Sequence, residues 1–259
     1  MDLKLKGKTA IVTGGTAGIG LAIVRALVAE GVEVAVPGRT QKKLDEAFDR
    51  EGFNVKKIVA DAGTAEGVAA VIASVPQTDI LINNLGIYKA MPFAEIPDED
   101  WFNLFEVNVM SGVRLSRHYF PAMLKNNFGR VIFISSESGV MTPPEMVHYG
   151  MTKSAQLAIS RGMAELTKGT AVTVNTVMPG PTRSEGITEF LQSMSTKENP
   201  TPQEAEKEFF EKHRSSSLLQ RLIDDSEIAN LVAYLSSPLS SATNGAAIRA
   251  EGGLLRSIS

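Results

Sequence analysis

The stretch Thr9-Ala-Ile-Val-Thr-Gly-Gly-Thr-Ala-Gly-Ile-Gly20 decides how this chain folds. It begins as a short apolar strand, turns through four glycines, and runs directly into a helix predicted over Leu21–Glu30. Glycines permit a tight turn with positive φ and let backbone N–H groups come close to a phosphate. The helix N-terminus adds free N–H groups and the positive end of its dipole. The stretch therefore predicts a pyrophosphate site, although such a turn alone also fits an ordinary strand-to-helix connection.

Strands and helices alternate along the rest of the chain. Alternation at this spacing builds a parallel sheet, because right-handed crossovers place helices on both of its faces. The strands are apolar throughout, as expected when both faces are covered. The sequence thus predicts an α/β fold: a single doubly wound Rossmann-type domain over 1–259, with a mostly parallel sheet of about seven strands. Further strands are predicted at 32–36, 55–60, 79–82, 129–134, 171–178 and 246–250, and helices at 41–51, 65–74, 98–125, 147–168, 202–214 and 226–235.

Two local signals refine this pattern. Pro37 and Gly38 are expected to break the second strand. Thr201-Pro-Gln-Glu204 has the form of a capping box with proline at the first helical position, so the helix should begin at Pro202. Because 182–222 otherwise interrupts the alternation, we expect it to be a lid inserted over the substrate site.

Composition excludes several classes of function. The net charge of −3 argues against a nucleic-acid partner, which would require a basic face. The chain has no cysteine, so it can form no disulfide, cysteine nucleophile or thiolate metal site. Its three histidines are too scattered to suggest a metal site. No apolar run has the length of a membrane span and no signal peptide is apparent, so we expect a cytoplasmic protein with a small-molecule partner and no membrane partner.

The predicted loops converge on one edge of the sheet. In a doubly wound sheet, ligands bind beyond the carboxyl ends of the strands. Six chain segments end strands in this way: 14–20, 38–39, 61, 83–86, 135–138 and 179–184. Together they predict a single crevice at this edge.

The end of the second strand bears on the choice of dinucleotide. An NAD site usually places an acidic residue there to bind the ribose 2′-hydroxyl. This chain has Gly38 followed by Arg39, and a guanidinium suits a 2′-phosphate. The sequence therefore favours NADP(H) over NAD(H), with a solvated Arg39 at the helix entry as the alternative. Lys42 and Lys43 are expected on a solvent face.

Tyr149 and Lys153 form a candidate acid–base pair. Their spacing puts both side chains on one face of a helix. A tyrosine with a pKa of about 10 is a poor acid–base group at neutral pH. A neighbouring ammonium stabilises the phenolate and lowers that pKa, so that the phenol can exchange a proton with a carbonyl or alcohol oxygen. Taken alone, such pairs are common surface contacts.

Six motifs follow one another along the chain: Thr13-Gly-x-x-x-Gly-x-Gly20, Asn83-Asn84-x-Gly86, Asn108, Ser136, Tyr149-x-x-x-Lys153 and Pro179-Gly180. Taken together, they resemble the short-chain dehydrogenase/reductase family. The resemblance covers essentially the whole chain, and the order and spacing of its motifs are highly specific. It implies an oxidoreductase that transfers a hydride between a nicotinamide cofactor and a carbonyl/alcohol substrate.

The resemblance also implies a role for each catalytic position. Tyr149 is the expected general acid/base, and Lys153 holds the nicotinamide ribose and lowers the tyrosine pKa. Ser136 positions the substrate oxygen. Asn108 is the kink residue of its helix and anchors a water of the proton relay, or is instead a locally bonded polar group within a helix. Asp61 meets the adenine amino group, or is instead a turn former at a strand end.

The implied cofactor contacts include some departures from the family pattern. Leu85 stands where the family usually has alanine, and it either reshapes the nicotinamide floor or fills a gap. Ser184 replaces a common threonine and keeps the hydroxyl. No basic residue precedes Gly18, so the preference for NADP depends on Arg39. The expected contacts are Gly14, Thr16, Gly18, Ile19, Gly20, Arg39, Asp61, Asn84, Gly86, Tyr149, Lys153, Pro179, Gly180, Thr182 and Ser184.

The predicted substrate walls are mainly apolar, which favours a hydrophobic or ring-bearing ketone or alcohol. Glu137 and Arg183 are the charged exceptions, and His148 could point into or away from the site. Family members commonly pair the helices predicted at 98–125 and 147–168, so we expect a homo-oligomer, a dimer or tetramer. The apolar candidates are Ile87, Tyr88, Val140, Met141, Met146, Ile187, Phe190, Leu191 and Met194.

Two other functions are compatible with the fold. The first is a catalytically silent dinucleotide-binding regulatory protein, against which the intact Ser136, Tyr149 and Lys153 set argues. The second is an epimerase or dehydratase, which usually has a larger substrate domain than 182–222 can provide. Turnover that changes the redox state of the cofactor would separate an oxidoreductase from both.

Overall fold

Seven parallel strands form the central sheet. The structure is a computed structural model, and it describes residues 1–49, 52–184 and 186–258. The strand order is β3-β2-β1-β4-β5-β6-β7, with every neighbouring pair parallel. The predicted doubly wound α/β fold is therefore confirmed. The strands are β1 (Thr9–Val12), β2 (Glu33–Gly38), β3 (Val55–Val59), β4 (Ile80–Asn83), β5 (Gly129–Ile134), β6 (Val172–Pro179) and β7 (Ala247–Ala250).

Helices cover both faces of the sheet. They are α1 (Gly18–Ala29), α2 (Gln41–Phe48), α3 (Ala65–Ser74), α4 (Asp98–Phe105), α5 (Ser111–Lys125), α6 (Val147–Glu165), α7 (Ile187–Met194), α8 (Pro202–Lys212) and α9 (Asp225–Ser236). One apolar core joins α1, α2 and α9 to one face of the sheet. A second core joins α3, α5 and α6 to the other face. Burial on both faces explains why the strands carry apolar residues without alternation.

Strand β1 lies between β2 and β4. Strands β2 and β3 are added on one side of β1, and β4 to β7 are added on the other. The loops after β1 and β4 are tied together at this point. The backbone N–H groups of Asn84 and Leu85 each donate to Thr13 Oγ1 at 3.0 Å. The Asn84 side-chain amide donates to the carbonyls of Thr13 at 3.0 Å and Gly14 at 3.2 Å. This network holds the glycine-rich turn at the topological switch point, where such sheets bind ligands.

Strand β2 runs through Pro37 and Gly38, so the prediction that these residues break it is wrong. Pro37 pairs with Ile58 of β3, and Gly38 pairs with Val59. On its other side, β2 pairs with β1 only as far as Ala35. Beyond that residue the β1 side of β2 is a free edge, where the missing N–H of a proline breaks no ladder hydrogen bond.

The helix predicted over 98–125 is interrupted. A π-helical turn over Glu106–Met110 separates α4 from α5, and Asn108 lies within it. Such turns insert an extra residue into a helix and are frequent at functional sites. The kink that the resemblance implies at Asn108 is thus present, although no residue type by itself marks a π turn in a sequence.

Other element bounds differ from the predictions by a few residues. Helix α1 begins three residues earlier than expected, at Gly18, so the last glycines belong to its first turn. The helix predicted at 41–51 ends at Phe48, and residues 50 and 51 lie outside the described part of the chain. Thr40 caps α2, since its side chain accepts from the N–H of Lys43 at 3.3 Å.

The segment over 182–222 contains two helices with a small apolar core of their own. Helix α7 was not predicted, whereas α8 begins at Pro202 with the expected capping box between Thr201 and Glu204. The core consists of Leu191, Ala205, Phe209, Phe210 and Leu222. Its proposed action as a lid stays a prediction. Within 1–49, 52–184 and 186–258, no helix combines the length and apolarity that a membrane crossing needs.

The packing of α5 against the sheet predicts the effect of adding one methyl group. A Cβ on Gly112 would lie 2.9 Å from the Phe133 ring and 3.3 Å from Asn83 Cγ. We expect Gly112→Ala to lower the free energy of unfolding by ~1–3 kcal/mol, because overpacking forces neighbours to move. Urea denaturation measures the change.

Gly162→Ala on α6 is the matched control. A Cβ there meets nothing within 4 Å, so the higher helix propensity of alanine should stabilise by up to ~1 kcal/mol. A Gly112→Ala protein as stable as the wild type would contradict the described packing of α5.

Candidate active site

A cleft follows the carboxyl edge of the sheet from β2 to β6. Its outer part is lined by Gly14, Thr16, Arg39, Asp61 and Gly86. Its middle part shares Gly14 and Gly86 with the outer part and adds Gly18, Gly20, Asn84 and Ser184. Its inner part shares Ile19 and Ser184 with the middle part and reaches Ser136, Tyr149, Pro179, Gly180 and Thr182. The structure thus brings nearly all the predicted site residues onto one continuous surface.

The middle of the cleft has the features of a phosphate cradle. The N-cap residue of α1 is Ala17, whose side chain caps nothing, so the first N–H groups of the helix remain available for an anion. Gly14 and Gly18 have positive φ values of 63° and 48°. A Cβ on Gly20 would lie 2.1 Å from the Gly14 carbonyl oxygen, so only glycine fits there. The donor set and the close backbone approach fit the pyrophosphate of a dinucleotide.

Two basic side chains line the outer part of the cleft. Arg39 is exposed there, as the prediction of an NADP site requires. Lys43 is exposed, as expected for a solvent face, and it also lines the same depression. Its position four residues after Arg39 could have indicated this. Asp61 also lines the depression, but its carboxylate accepts the Gly63 N–H at 2.9 Å, which is the turn-forming alternative.

Ser136 and Tyr149 meet at the floor of the inner cavity. Ser136 follows β5 and Tyr149 lies in the first turn of α6, and both line the cavity. The Ser136 hydroxyl also donates to Glu137 Oε2 at 2.5 Å. The edge of the Tyr88 ring packs on Tyr149, with 6.2 Å between centroids. A phenol, a serine hydroxyl and a carboxylate therefore line one cavity, and the last two are hydrogen-bonded to each other.

Lys153 lies one helical turn beyond Tyr149. Its Nζ is 5.4 Å from the centre of the Tyr149 ring, and it donates to the Ile134 carbonyl at 3.0 Å. The Lys153 side chain is buried. A Cβ on Gly86 would lie 3.5 Å from this Nζ, so the absence of a side chain at Gly86 leaves room above the ammonium group. These contacts hold the ammonium between the tyrosine and the loop after β4.

Burial controls the protonation of this pair. It raises the pKa of Tyr149, and the nearby Glu137 carboxylate raises it further, while the Ser136 hydrogen bond opposes both effects. Burial also lowers the pKa of Lys153 to about 8, against the opposing effect of Glu137. We expected Lys153 to lower the pKa of Tyr149, but in the protein without a cofactor this pKa is raised. The reason is that desolvation disfavours both the phenolate and the ammonium.

Asn108 links three parts of the site. Its side-chain oxygen accepts the Ile87 N–H at 2.8 Å, and its amide donates to the Ile87 carbonyl at 2.9 Å and to Thr152 Oγ1 at 3.0 Å. Its backbone carbonyl accepts from Gln156 Nε2 at 2.6 Å. Asn108 thus fastens the loop after β4 to α6. Gln156 was missed by sequence reasoning, because nothing in the motifs marks a residue one turn beyond Lys153.

The predicted substrate walls are only partly present in the inner cavity. Four of the apolar candidates line it: Tyr88, Met146, Ile187 and Phe190. Leu191 is buried in the small core of α7 and α8, and Ile87 lines the outer cleft instead. Val140 and Met141 are exposed, and Met194 packs at the border of the small core.

The charged groups of the cavity differ from those expected. Glu137 lines it as predicted, but Arg183 pairs outside it with Glu206 and Asp224, at 3.7 and 3.2 Å. Arg214, which follows α8, lines the cavity instead. The sequence could not indicate this, because the path of 182–222 brings Arg214 to the site.

Two further predictions about this region have structural outcomes. His148 points away from the cavity and packs on the Trp101 ring, with 5.8 Å between centroids. Leu85 lines both the outer and middle cleft, so it faces the cofactor site. No group of three or more histidine and acidic side chains in the described ranges is arranged to hold a metal ion.

Comparison with known proteins agrees with the fold. The family model described as short chain dehydrogenase matches residues 8–195. An uncharacterized oxidoreductase of Bacillus subtilis, YvaG, is 51% identical, with 100% of both chains covered. The 3-oxoacyl-[acyl-carrier-protein] reductase FabG of Vibrio cholerae is 30% identical, with 97% of this chain and 99% of the relative covered.

A solved structure of similar shape carries its cofactor. The L-sorbose reductase of Gluconobacter frateurii, complexed with NADPH and L-sorbose, matches with a TM-score of 0.92 at 28% identity, covering 100% of both chains. The chain described here belongs to the short-chain dehydrogenase/reductase family. It is an oxidoreductase, and its chemistry is pyridine-nucleotide-dependent oxidoreduction.

The burial of Lys153 predicts a pH-dependent stability. A lysine in the unfolded chain has a pKa of about 10.4, whereas burial lowers that of Lys153 to about 8. Between these values the unfolded state binds a proton that the native state does not, so the free energy of unfolding rises with pH by up to ~3 kcal/mol. Lys153→Met should lack this rise between pH 8 and 10.4.

Urea denaturation across that range, read as the difference between wild type and variant, measures the effect. Lys125→Met, at the exposed C-terminal end of α5, is the control and should keep the rise. An equal rise in Lys153→Met would show that Lys153 is not the group responsible.

Proposed function

We propose that this protein is an NADP(H)-dependent oxidoreductase that interconverts a carbonyl and an alcohol on a small-molecule substrate. One observation carries the proposal. The Tyr149 phenol lines one cavity with Ser136 and lies beside Lys153, at the end of a cleft that continues into the glycine-rich cradle. A candidate phosphate site and a candidate acid–base group are thereby joined in one cleft.

The chain's own residues supply the proton chemistry. When bound, NADP(H) supplies or accepts the hydride. Tyr149 is the proposed general acid, and burial favours its protonated form, which reduction of a carbonyl requires. Ser136 is proposed to position the substrate oxygen beside the phenol. Lys153 is proposed to hold the nicotinamide ribose, and its ammonium would stabilise the phenolate that forms when the proton leaves.

Asn108 and the loop residues are proposed to position this machinery. Through its hydrogen bonds to Ile87 and Thr152, Asn108 sets the distance between the cofactor loop and α6. The cofactor contacts predicted at 14–20, Asn84, Gly86 and 179–184 are proposed to hold the pyrophosphate and the nicotinamide. Ser184 lines both the middle cleft and the inner cavity, as a residue beside the nicotinamide should.

The preference for NADP(H) is supported by charge. Arg39 and Lys43 both line the outer cleft, and the β2 end carries Gly38 in place of an acidic residue. The Gluconobacter reductase, complexed with NADPH, has the same fold. A 2′-phosphate would gain charge-assisted hydrogen bonds from a guanidinium at this place.

The assembly state and location remain part of the proposal. Phe102 and Phe105 of α4 are exposed, at 73% and 39%, which supports the predicted homo-oligomer because large apolar residues favour contact surfaces. Sedimentation of the purified protein tests it, and a monomer at micromolar concentration would contradict it. The cytoplasmic location stays a prediction.

Replacement of the phenol tests the proposed acid. We expect Tyr149→Phe to lower kcat for NADPH-dependent carbonyl reduction by ~10²–10⁴-fold, because general acid catalysis is lost. NADPH oxidation is followed by absorbance, and cofactor binding by fluorescence. The control is Tyr234→Phe on α9, an exposed tyrosine outside the cleft, which should retain activity.

The outcomes separate the candidate functions. Unchanged turnover in Tyr149→Phe would refute the assignment of the acid. Tight cofactor binding by the wild type without turnover of any carbonyl would favour the silent regulatory protein.

Removal of the guanidinium tests the cofactor preference. Arg39→Gln should lower kcat/KM for NADPH by ~10–100-fold through loss of charge-assisted hydrogen bonds, and should leave the value for NADH nearly unchanged. Lys42→Gln is the control, because Lys42 is exposed and pairs with Glu46. Equal losses with both cofactors would contradict recognition of the 2′-phosphate by Arg39.

A further inference from the structure

Arg214 lines the substrate cavity and has one unused hydrogen-bond donor, its Nε, while its Nη1 donates to the His213 carbonyl at 2.8 Å. Its side chain is 11% exposed and stacks on the Phe209 ring, 5.3 Å from the centroid. Its Nε is buried and has no hydrogen-bond partner among the described residues. The nearest carboxylate oxygens, of Glu137 and Glu145, are each 3.9 Å away, too far for a direct hydrogen bond. A buried guanidinium with an unused donor is costly unless a ligand supplies the acceptor.

Glu137 presents acceptors to the same cavity. Its side chain is buried, and its Oε2 accepts the Ser136 hydroxyl at 2.5 Å. Its other oxygen faces Arg214 across the 3.9 Å gap. An ionised carboxylate only accepts hydrogen bonds and a guanidinium only donates them. A group that satisfies both must donate and accept, which is the property of a hydroxyl.

The charge balance argues for a neutral ligand. Two carboxylates and one guanidinium surround the gap, so an anionic ligand would meet more negative than positive charge. The lining of the cavity also has apolar side chains, among them Tyr88, Ile187 and Phe190. A purely apolar ketone would fit that wall, but it would leave Glu137 and Arg214 dehydrated without partners.

We propose that the substrate carries a hydroxyl on the carbon next to its reacting carbonyl, and that Glu137 and Arg214 select it. This inference rests on the proposed function, in which Ser136 holds the reacting oxygen. Since Glu137 Oε2 lies 2.5 Å from Ser136 Oγ, an oxygen on the neighbouring carbon comes within reach of the carboxylate. In the reaction, the carbonyl carbon takes a hydride from NADPH and the oxygen takes the proton of Tyr149. The C=O double bond becomes a C–O single bond, and a vicinal diol and NADP⁺ are formed.

The test compares ketones that differ in one hydroxyl. The panel is 3-hydroxy-2-butanone, 2-butanone, 4-hydroxy-2-butanone and the anion 2-oxobutanoate, each with NADPH. We expect kcat/KM for 3-hydroxy-2-butanone to exceed that of each other compound by ~100-fold or more, because a site with buried polar groups rejects analogues that leave them unpaired. Equal values for 3-hydroxy-2-butanone and 2-butanone, or the best value for 4-hydroxy-2-butanone or 2-oxobutanoate, would overturn the inference while the proposed reduction stands.

Two variants locate the selection. Glu137→Gln and Arg214→Met should each lower the preference for 3-hydroxy-2-butanone over 2-butanone by at least ~10-fold, since that preference depends on both groups. Glu211→Gln, on the exposed face of α8, is the control and should keep the preference. If the two residues had only a structural role, each variant would lower kcat/KM for both ketones by the same factor. The ratio of the two values would stay unchanged, and this result would overturn the inference. If the folded wild-type protein reduces none of the carbonyl compounds, the proposed function is overturned, and this inference with it.

Discussion

The hydroxyl of Thr13 holds the switch point of this sheet together. It accepts two backbone N–H groups from the loop after β4, and the Asn84 amide returns two hydrogen bonds to the carbonyls after β1. These bonds fix the glycine-rich turn to the neighbouring strand and leave the first turn of α1 open toward the cleft. Because α1 approaches the turn so closely, no side chain is tolerated at Gly20. Strand β4 pairs with β1 on one side and with β5 on the other, so the same register also positions the loop after β5.

The acid–base group depends on a different constraint, the exclusion of water. Lys153, Ser136 and Glu137 are each buried, and each is held by at least one hydrogen bond. Exclusion of water disfavours both a phenolate and an ammonium. At neutral pH it keeps the phenol protonated, while Lys153, with a pKa of about 8, retains most of its positive charge. That resting state suits a proton donor. A dinucleotide in the cleft would change the local charges, and the protonation of the pair would respond to it.

Much of the fold could be predicted from the sequence because it depends on local patterns. Apolar strands, glycine turns and caps such as Thr40 and the Thr201–Glu204 box are each encoded within a few residues. Ser136 and Tyr149 could be placed near each other because both follow the same strand at one edge of the sheet. Arg214 could not, since its position depends on how 182–222 packs. The protonation of Tyr149 could not either, because desolvation depends on the complete tertiary structure.

The π-helical turn over Glu106–Met110 has a consequence for the outer surface as well as for the site. One extra residue in a helix rotates everything beyond it by about 100° around the axis. The side chains of α4 and α5 are therefore rotated relative to each other around the axis, although the two helices follow one another without a gap. The phase shift lets α5 turn Leu115 and Tyr119 into the core while α4 keeps Phe102 on the outside. Deletion of one residue from this turn would bring α4 and α5 into phase. It would then change the positions of both Asn108 and the exposed Phe102 relative to α5.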